Sequence, residues 1–551
     1  MRIVVTGAGI VSALGKGKEA TLAALLREQS GMAMPQYLDT RHTEYPVGEV
    51  KTATSEDESR TAQLGRMAAQ EALQQAGVDN LSVVAFINGT TVGGMDYTER
   101  HWHEREKYAD AIVAKHSAGA STRHIADHIG RFAYSTTVST ACSSALNAVI
   151  VASDMLRSGQ YTQVLAGGSE CLSRFHFNGF RSLQILSDIV CRLFSDDRKG
   201  LNLGEGAAYL FLETEESALR RDATVLAYIA GYGNACDAHH QTATSPEGTG
   251  PYLAMQQALL MANVQPGQVD YIHAHGTATE NNDATEKAAM NRLFTNGIPC
   301  FSSTKGFTGH ATSAAGGIEL VICLLAMQNG FVPANLPTGK TIRRPLHYVL
   351  CNSFGFGGND SSVLLSDKPA DHSEDMGVKP FVSETFIAVS SDDYKRFLTP
   401  MQARRLTPAL RQLVAAACHA LEAYHIDVPD AVITATDLGC IHHSVELLNQ
   451  LTEEGEDAMN PTPFMQSTHN TPSSLLAMLL HCHGYNCTYS HGGQSYADAV
   501  ADAERQIRLG HIRNALVLRF EEDDPTWQTL HAYQPYAEAI VLTTHPNTGL
   551  C

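Results

Sequence analysis

One stretch near residue 140 limits the folds open to this chain more than any other. Residues 135–140 are β-branched or small and predict a buried strand, and Cys142 follows at a tight turn. Residues 145–156 are almost continuously apolar and stop at Ser158-Gly159, which predicts a buried helix. Cys142 therefore precedes a helix, whose free N–H groups and dipole favour a thiolate, the nucleophilic form. A small cysteine that only fills the core is the alternative.

Strands alternate with helices through most of the first 366 residues. Further strands are predicted at 83–87, 164–166, 207–212, 271–274 and 362–365, and further helices at 60–76, 253–262 and 311–327. This alternation predicts a layered α/β architecture. The glycines of the turn predicted at 7–12 invite a dinucleotide-binding interpretation. Ser12 stands where that motif needs its third glycine, so we do not favour it.

Composition indicates a soluble globular protein of several domains. The chain has 551 residues, of which 44% are hydrophobic and 18% charged. Apolar runs stop short of the roughly 20 residues that a membrane span needs. The N-terminus enters a strand and lacks the apolar region of a signal peptide, so we expect a cytoplasmic protein.

Cysteine usage and charge narrow the classes of partner. The twelve cysteines are scattered and form no CxxC pair, which argues against a disulfide scaffold. The formal net charge of −19 argues against nucleic acid as a partner. An acidic protein partner would need a local basic patch, for which Arg192, Arg198 and Lys199 are candidates.

The chain divides into two unequal domains. Residues 367–380 are polar and carry two prolines, which predicts a linker between a domain at 1–366 and one at 381–551. The second domain weakly repeats the start of the first. Aligning Gly159 with Gly510 places Cys142 opposite Gly493, or opposite Gln494 if the register slips by one. Neither residue is a nucleophile.

Three more stretches carry polar groups suited to catalysis. They are His273-Ala274-His275-Gly276-Thr277-Ala278-Thr279 after a strand, Lys305-Gly306-Phe307-Thr308-Gly309-His310 before a small-residue helix that holds Glu319, and Asn352-Ser353-Phe354-Gly355-Phe356-Gly357-Gly358-Asn359. His273 and His275 could be metal ligands, but no third ligand stands at a recognisable spacing, so no metal is expected. The glycine-rich turns could serve packing alone.

Together with Cys142, these stretches resemble the β-ketoacyl synthases, the decarboxylating condensing enzymes of fatty-acid and polyketide assembly. The resemblance covers about residues 1–366 and includes the opening Val-Val-Thr-Gly-Ala-Gly-Ile-Val-Ser, residues 236–243 and the Gly-Phe-Gly-Gly turn. It implies a thiolase-like fold with α/β/α/β/α layers, usually dimeric. Cys142 would take an acyl chain from an acyl carrier protein, and malonyl-acyl carrier protein would extend it after decarboxylation. No cofactor is implied beyond the carrier's phosphopantetheine.

The resemblance also implies a role for each motif residue. The implied catalytic set is Cys142, His275, His310, Lys305 and Glu319. The backbone N–H groups of Cys142 and Phe356 would form the oxyanion hole. Thr277 and Thr279 would contact the pantetheine arm, and Phe354 and Phe356 would form a gate between the acyl and extender sites. His273 and Ala278 depart from the commoner family residues.

The second domain resembles the N-terminal half of a ketosynthase that has lost its nucleophile, as in a truncated chain length factor. It would shape the acyl pocket, and the assembly would be a homodimer or resemble a ketosynthase/chain-length-factor pair. Polyene or aryl polyene synthesis is the suggested pathway. A decayed duplication kept for packing, a thiolase-type enzyme using coenzyme A thioesters, and a non-catalytic scaffold subunit are the alternatives. In the unassigned stretch 95–128, Trp102 and Tyr108 are expected to touch the chain end.

Overall fold

A computed structural model of the chain describes residues 1–53, 55, 57–372 and 377–544. The first half of the first domain contains these strands: β1 (Ile3–Ser12), β2 (Gly15–Lys16), β3 (Ala85–Gly89), β4 (Tyr134–Val138), β5 (Gln163–Glu170) and β6 (Gly206–Thr214). Its helices are α1 (Lys18–Leu26), α2 (Arg60–Ala76), α3 (Met95–His101), α4 (Ala109–His116), α5 (Ala118–Ile129), α6 (Ser144–Arg157), α7 (Arg174–Ser182) and α8 (Glu215–Arg220).

The second half of the first domain follows with its own strands and helices. The strands are β7 (Ala227–Cys236), β8 (Tyr271–His273), β9 (Cys300–Ser302), β10 (Phe331–Val332), β11 (Ile342–Arg343), β12 (Tyr348–Gly355) and β13 (Asn359–Ser366). The helices are α9 (Thr249–Met261), α10 (Glu280–Leu293), α11 (Lys305–Thr308) and α12 (Ala315–Asn329).

The second domain is again α/β. Its strands are β14 (Phe381–Val382), β15 (Ala431–Ala435), β16 (Tyr485–Tyr489), β17 (Asn514–Glu521) and β18 (Tyr536–Thr543). Its helices are α13 (Pro400–Ala403), α14 (Pro408–Ala423), α15 (Ile441–Asn449), α16 (Pro461–Gln466), α17 (Thr471–Leu480), α18 (Ser495–Arg508) and α19 (Pro525–Leu530).

One hydrogen-bonded sheet runs through both domains. Its strand order is β14-β18-β17-β15-β16-β4-β3-β5-β6-β1-β7-β13-β12-β8-β9, and β2 pairs with β1. The two halves of the first domain meet at a short β1–β7 pairing. The domains meet where β16 pairs antiparallel with β4, with Tyr489 opposite Val138. Beside it, the Ser139 N–H donates to the Thr488 carbonyl at 2.9 Å. The edge strand of the first domain is therefore paired within the chain.

Two buried helices form the middle layer of the first domain. All fourteen residues of α6 are buried, and α12 is buried from Ala315 to Met327. Both belong to one hydrophobic core with the strands of the two half-sheets, and strands β15 to β17 of the second domain join it. Helices α2 and α5 cover the outer face of the first half-sheet, and α9 and α10 cover that of the second. These are the layers of a thiolase-like fold.

Strand β1 corrects one sequence-based expectation. It runs unbroken from Ile3 to Ser12, without the turn that was predicted at 7–12. A Cβ atom at Gly7 or Gly9 would lie 2.3 or 2.0 Å from a backbone carbonyl oxygen of α2. The glycines therefore let a strand and a helix pack closely, and they do not form a phosphate-binding turn.

The repeat between the domains has a constant register around the nucleophile. Strands β4 and β16, helices α6 and α18, and strands β5 and β17 all begin 351 positions apart. The same offset places Gly493 opposite Cys142. The alternative register with Gln494 is wrong, because neither the strand before the turn nor the helix after it has slipped.

The end of the first domain is tied back to its beginning. The backbone N–H of His372 donates to the Met1 carbonyl at 2.8 Å, and its ring contacts the Ile229 carbonyl at 2.7 Å. Residues 373–376 of the predicted linker lie outside the described residues. Among the described helices, the stretch Thr312–Asn329 is long and apolar enough to cross a membrane, but 89% of it is buried inside the protein. It contains the core helix α12.

Candidate active site

Cys142 lies in a 3₁₀ turn, Ala141–Ser143, between β4 and α6. Small residues are required there, because Ala141 adopts a φ of 52° and the turn is buried on all sides. The second half of the domain fixes the turn from the opposite face: the Ser353 hydroxyl donates to the Cys142 carbonyl at 2.9 Å. The nucleophile is therefore held by both halves of the first domain.

Burial of Cys142 works against the thiolate that the sequence predicts. Burial raises its pKa to about 12, against the opposing influence of the Lys305 ammonium and the Phe356 backbone N–H. The sequence-based prediction of a thiolate took account of the helix dipole. It could not take account of the loss of water around the sulfur, which raises the pKa. Activation must therefore come from a base in contact with the thiol.

His310 is the titratable side chain in contact with the thiol. Its Nε2 lies 3.1 Å from the Cys142 Sγ, and its ring stands perpendicular to that of His275 at a centroid distance of 5.3 Å. Burial, followed by the Lys305 charge, lowers the pKa of both histidines well below its usual value. Both rings are therefore neutral, so each has one nitrogen that accepts a proton and one that donates.

Lys305 and Glu319 hold the histidine pair from behind. The Lys305 Nζ donates to the His275 carbonyl and to the Glu319 carboxylate, both at 2.5 Å, and all three side chains are buried. Burial raises the pKa of Glu319 to about 7, while the Lys305 ammonium opposes that rise. His273 takes no part in this group, because its Nε2 faces the Thr304 hydroxyl at 2.9 Å. Within the described residues, no cluster of three or more metal-ligating side chains occurs.

Two cavities meet at Cys142. The first-domain cavity is lined only by residues of that domain, and these include Cys142, His275, His310, Thr277, Thr279, Phe354 and Phe356. Thr277 and Thr279 point their hydroxyls at each other, 3.0 Å apart, because Thr279 caps α10. The interdomain cavity is lined by residues of both domains and also includes Cys142 and Phe356. Phe356 therefore lies at the junction of the two cavities, while Phe354 packs on His275 at a ring distance of 5.8 Å.

The second domain supports the loop that carries Phe356. The Asn470 side-chain amide donates to the Phe356 carbonyl at 2.9 Å. A Cβ atom at Gly357 would lie 2.1 Å from the Ser474 hydroxyl, so α17 packs directly on this loop. Sequence reasoning missed both residues of the second domain, because nothing near Asn470 or Ser474 signals a contact more than 100 positions away.

Six of the seventeen residues that line the interdomain cavity belong to the second domain: Leu438, Ser444, Phe464, Ser467, Thr468 and His469. His469 is also fixed to the nucleophile's side of the interface, with its Nδ1 3.0 Å from the Ser139 hydroxyl. The second domain therefore builds about a third of this wall. A decayed repeat kept only for solubility would not be expected to supply it.

Glu170 is a further structural residue of the site that sequence reasoning did not identify. Its buried carboxylate accepts hydrogen bonds from the Thr90 hydroxyl, the backbone N–H groups of Thr91 and Val92, and the Ser313 hydroxyl. It thereby ties together the loops on both sides of Cys142. Its place at the end of strand β5, after a Gly-Gly-Ser run, is the only sequence signal of this role.

The structure overturns the expected contacts of Trp102 and Tyr108 and leaves the three basic residues as candidates for a docking patch. Trp102 and Tyr108 do not line either cavity: Trp102 is fully buried against Trp527, and its Nε1 donates to the Asn449 side chain at 2.9 Å. The basic candidates Arg192 and Lys199 each face a neighbouring aspartate, and Arg198 donates to the Ser195 carbonyl at 2.9 Å. These three cations lie on one loop, with acids between them.

Comparison with known proteins decides the family. Models of the β-ketoacyl synthase N-terminal and C-terminal domains match residues 1–218 and 226–338. The 3-oxoacyl-(acyl-carrier-protein) synthase 2 of Vibrio cholerae is 30% identical over 409 residues, covering 66% of this chain and 98% of that protein. The chain belongs to the β-ketoacyl synthase family. In this synthase, a further model of the family's N-terminal domain matches residues 384–551, which fall within the second domain.

Solved structures related to this synthase include ketosynthases paired with chain length factors. The ishigamide ketosynthase/chain length factor is 29% identical with a TM-score of 0.62, covering 67% of this chain and 99% of that one. The Xenorhabdus doucetiae ketosynthase ApeO, in complex with its chain length factor ApeC, is 28% identical with a TM-score of 0.58 over 66% and 98%. The PfaC ketosynthase–chain length factor covers all of this chain and 79% of its own, with a TM-score of 0.80. At 17% identity this likeness shows the fold alone, but over both domains.

Proposed function

We propose that this synthase extends acyl chains by decarboxylating Claisen condensation, with Cys142 as the acyl carrier within the protein. The observation that carries the proposal is the meeting of two cavities at one thiol, with two neutral histidines on one side. One cavity can hold an acyl chain while the other admits an extender. Splitting the reaction through a covalent thioester is ordinary nucleophilic catalysis.

The first step transfers the acyl group from a carrier thioester to Cys142. As sulfur attacks the carbonyl, the thiol proton passes to the His310 Nε2. The carrier thiolate leaves and takes a proton from solvent, and the His310 ring releases its Nδ1 proton to solvent, so that the neutral ring keeps an Nε2–H for the next step. The negative charge that develops on the carbonyl oxygen is stabilised by the backbone N–H groups of Cys142 and Phe356. The effect of the Phe356 N–H on the Cys142 pKa supports its direction toward the sulfur.

The second step joins the extender to the bound chain. Malonyl on the carrier loses carbon dioxide, and neutral His275 and His310 donate hydrogen bonds to the oxygen of the resulting enolate. The enolate carbon then attacks the Cys142 thioester, and the thiolate leaves and is protonated. Lys305 serves as a positioning residue, since it fixes the His275 backbone and raises the cost of protonating either ring.

The substrates bring the only prosthetic group that the proposal needs. We assign the pantetheine arm of an acyl carrier protein to the first-domain cavity, where Thr277 and Thr279 offer hydroxyls. An acidic carrier protein would meet the loop with Arg192, Arg198 and Lys199. The described cysteines are all free thiols, which fits a reducing compartment such as the cytoplasm.

The second domain is proposed to act as a chain length factor within the same chain. It supplies a third of the interdomain cavity and occupies the β4 edge, so we expect a single chain to replace a ketosynthase/chain-length-factor pair. We therefore propose a monomer rather than a homodimer formed through β4. We propose that a synthase with this arrangement makes polyenes, which include aryl polyenes.

Intact-protein mass spectrometry tests the function. After incubation with acyl-carrier proteins, we expect an acyl mass on Cys142 that malonyl-carrier protein discharges into a longer product. Cys142→Ala should carry no acyl group. His275→Ala should be acylated but fail to discharge, whereas His310→Ala should be slow in both steps, because His310 contacts sulfur. Acyl transfer by Cys142→Ala would refute the assignment, and normal discharge by His275→Ala would remove its role.

A further inference from the structure

A third cavity lies in the second domain, around the position that matches Cys142. This rear cavity holds about 380 Å³. Its lining includes Val113 and Ser117 of the first domain and, from the second, Asp437, Leu438, Gly493, Phe520, Trp527 and Tyr533. The rear cavity is open to solvent at Gly493, the exposed residue that matches Cys142.

A thin wall separates the rear cavity from the interdomain cavity. Leu438 lines both cavities, His116 lines the interdomain cavity, and Trp527 lines the rear cavity. The rings of His116 and Trp527 are in contact, with centroids 4.5 Å apart. Three side chains thus stand between the cavity that contains Cys142 and the one that contains Gly493.

Trp527 is positioned by its own short helix. It lies in α19, which Asp524 caps by accepting a hydrogen bond from the Trp527 backbone N–H at 2.9 Å. Its ring is 1% exposed and stacks on Trp102 at a centroid distance of 6.3 Å. The wall is therefore closed in this structure by one large side chain of the second domain.

The interdomain cavity is too small for a long chain while this wall is closed. It holds about 60 Å³, which is room for about four to six water-sized groups. A chain built from several two-carbon units exceeds that volume. It must either displace the wall or leave the cavity toward the mouth from which extenders arrive.

The rear cavity has a mixed lining, in which the charged residues Arg123, Asp437, Arg519 and Glu521 stand beside aromatic rings that suit a planar chain. Five of its residues are aromatic: Tyr496, Phe520, Trp527, Tyr533 and Tyr536. Arg519 stacks over the Tyr536 ring at 3.6 Å. Flat conjugated or aromatic groups gain more from such rings than a flexible alkyl chain does.

The loop in front of the rear cavity is also kept in shape. Glu521 accepts hydrogen bonds from the Thr436 hydroxyl and from the backbone N–H groups of Asp437 and Leu438. Glu170 holds the matching loop beside Cys142 in the same way. A half domain that never forms a thioester retains the support of a pocket, which indicates that the pocket itself is used.

Resting on the proposed function, we propose that the rear cavity receives the distal end of acyl chains bound to Cys142 that outgrow the interdomain cavity. Trp527 is the gate, and conjugated or aromatic chain ends are the class of ligand that fits. The gate opens when the growing chain pushes the indole away from His116. The lost active site of the second domain thereby becomes the far end of the acyl tunnel.

A cysteine introduced at residue 493 can show directly whether an acyl chain occupies the rear cavity. A Cβ atom at Gly493 meets nothing within 4 Å, so a cysteine side chain there projects into open space. The Gly493→Cys protein is loaded on Cys142 from hexanoyl- or octadecanoyl-carrier protein, and mass spectrometry confirms the load. The rate at which iodoacetamide alkylates the introduced thiol is then followed by peptide mapping.

We expect octadecanoyl loading to slow alkylation of the introduced thiol by at least about tenfold relative to hexanoyl loading, since access to the sulfur is lost. Equal rates after both loads would overturn the inference while leaving the condensing function intact. Absence of any acyl mass on Cys142 would overturn the proposed function, and the inference with it.

Substitution of the gate provides an independent measurement. Trp527→Ala should lengthen the longest product by at least one extender unit. In the Gly493→Cys background, it should extend the protection of the introduced thiol to donors of intermediate length. Trp527→Phe keeps an aromatic ring in the wall and should give a smaller shift, which guards against an alanine variant that does not fold. Unchanged product length in both variants would overturn the role of Trp527.

Discussion

Helices α6 and α18 occupy the same place in the two halves of the repeat, and their surfaces differ sharply. Each has fourteen residues and follows a strand and a short turn. All fourteen residues of α6 are buried, whereas eight of those in α18 are. The reason is structural: α6 lies between two half-sheets, while α18 packs on one sheet and lacks the other.

The sequence of α18 has adapted to that difference. Asp502 stands where α6 has Val151, and Glu504 stands where α6 has Ser153. Where α18 is buried against α6, its polar groups are satisfied: Gln506 donates to Asp154 at 2.9 Å, and Arg505 donates to Asp502 at 2.8 Å. The buried polar residues of α18 therefore find partners within the chain.

The turns before the two helices also differ, in the catalytic groups that they carry. The first reads Ser-Thr-Ala-Cys-Ser from residue 139 and the second Ser-His-Gly-Gly-Gln from residue 490. Both are supported by a glutamate, the buried Glu170 or the partly buried Glu521, and loss of solvent raises the pKa of these two groups to about 7 and about 8. The frame is shared, but only the first turn faces histidines from a second half-sheet.

The largest expected effect comes from moving the nucleophile between the turns. Cys142→Ala should lower acyl transfer by at least about 10³-fold, and adding Gly493→Cys to it should not restore transfer. Among the described residues, no second half-sheet brings a histidine to the second turn as it brings His310 to the first, and the histidine that lines the rear cavity is His531. Acylation is measured by intact mass, with Gly493→Cys alone as the control. Acyl transfer through the introduced cysteine would show that the two turns are chemically equivalent.

Exchange of aligned residues between the helices should give the next largest effect. Ser153→Glu places a carboxylate where the side chain is fully buried and should cost about 3–5 kcal/mol of unfolding free energy. The reverse change in the other helix, Glu504→Ser, should stay within about 0.5 kcal/mol, because Glu504 is only partly buried. Urea unfolding of both variants measures the difference. Equal losses would mean that α18 is as enclosed as α6.

The smallest effect tests whether the second domain acts on the catalytic loop. Asn470→Ala removes the donor to the Phe356 carbonyl and should lower the condensation rate about tenfold, which corresponds to about 1–2 kcal/mol. The position that matches Asn470 in the first domain is Gly119, which has no side chain to offer. Asn296→Ala, at an exposed position of the first domain, is the matched control. An unchanged rate in Asn470→Ala would reduce the second domain to a passive wall.

Much of the site follows from local sequence. The strand, turn and helix around Cys142 and the strand before His275 could be predicted from the spacing of apolar side chains. That spacing is two residues in a strand and 3.6 in a helix, and it depends only on residues close together along the chain. The glycine-rich turn of Phe356 depends on short-range backbone freedom. The same local rules gave the register that places Gly493 opposite Cys142, because the repeat keeps its spacing from strand to helix.

Tertiary structure decided what these residues do to one another. The raised pKa of the Cys142 thiol results from burial, which outweighs the dipole of α6 and which no local pattern measures. Leu438, Asn470 and Trp527 reach the site only because β16 pairs with β4, a contact about 350 positions apart along the chain. Sequence alone predicted Cys142 as the nucleophile together with its histidines, since they stand in short motifs. The pocket they serve depends on long-range packing between domains, which one-dimensional spacing does not encode.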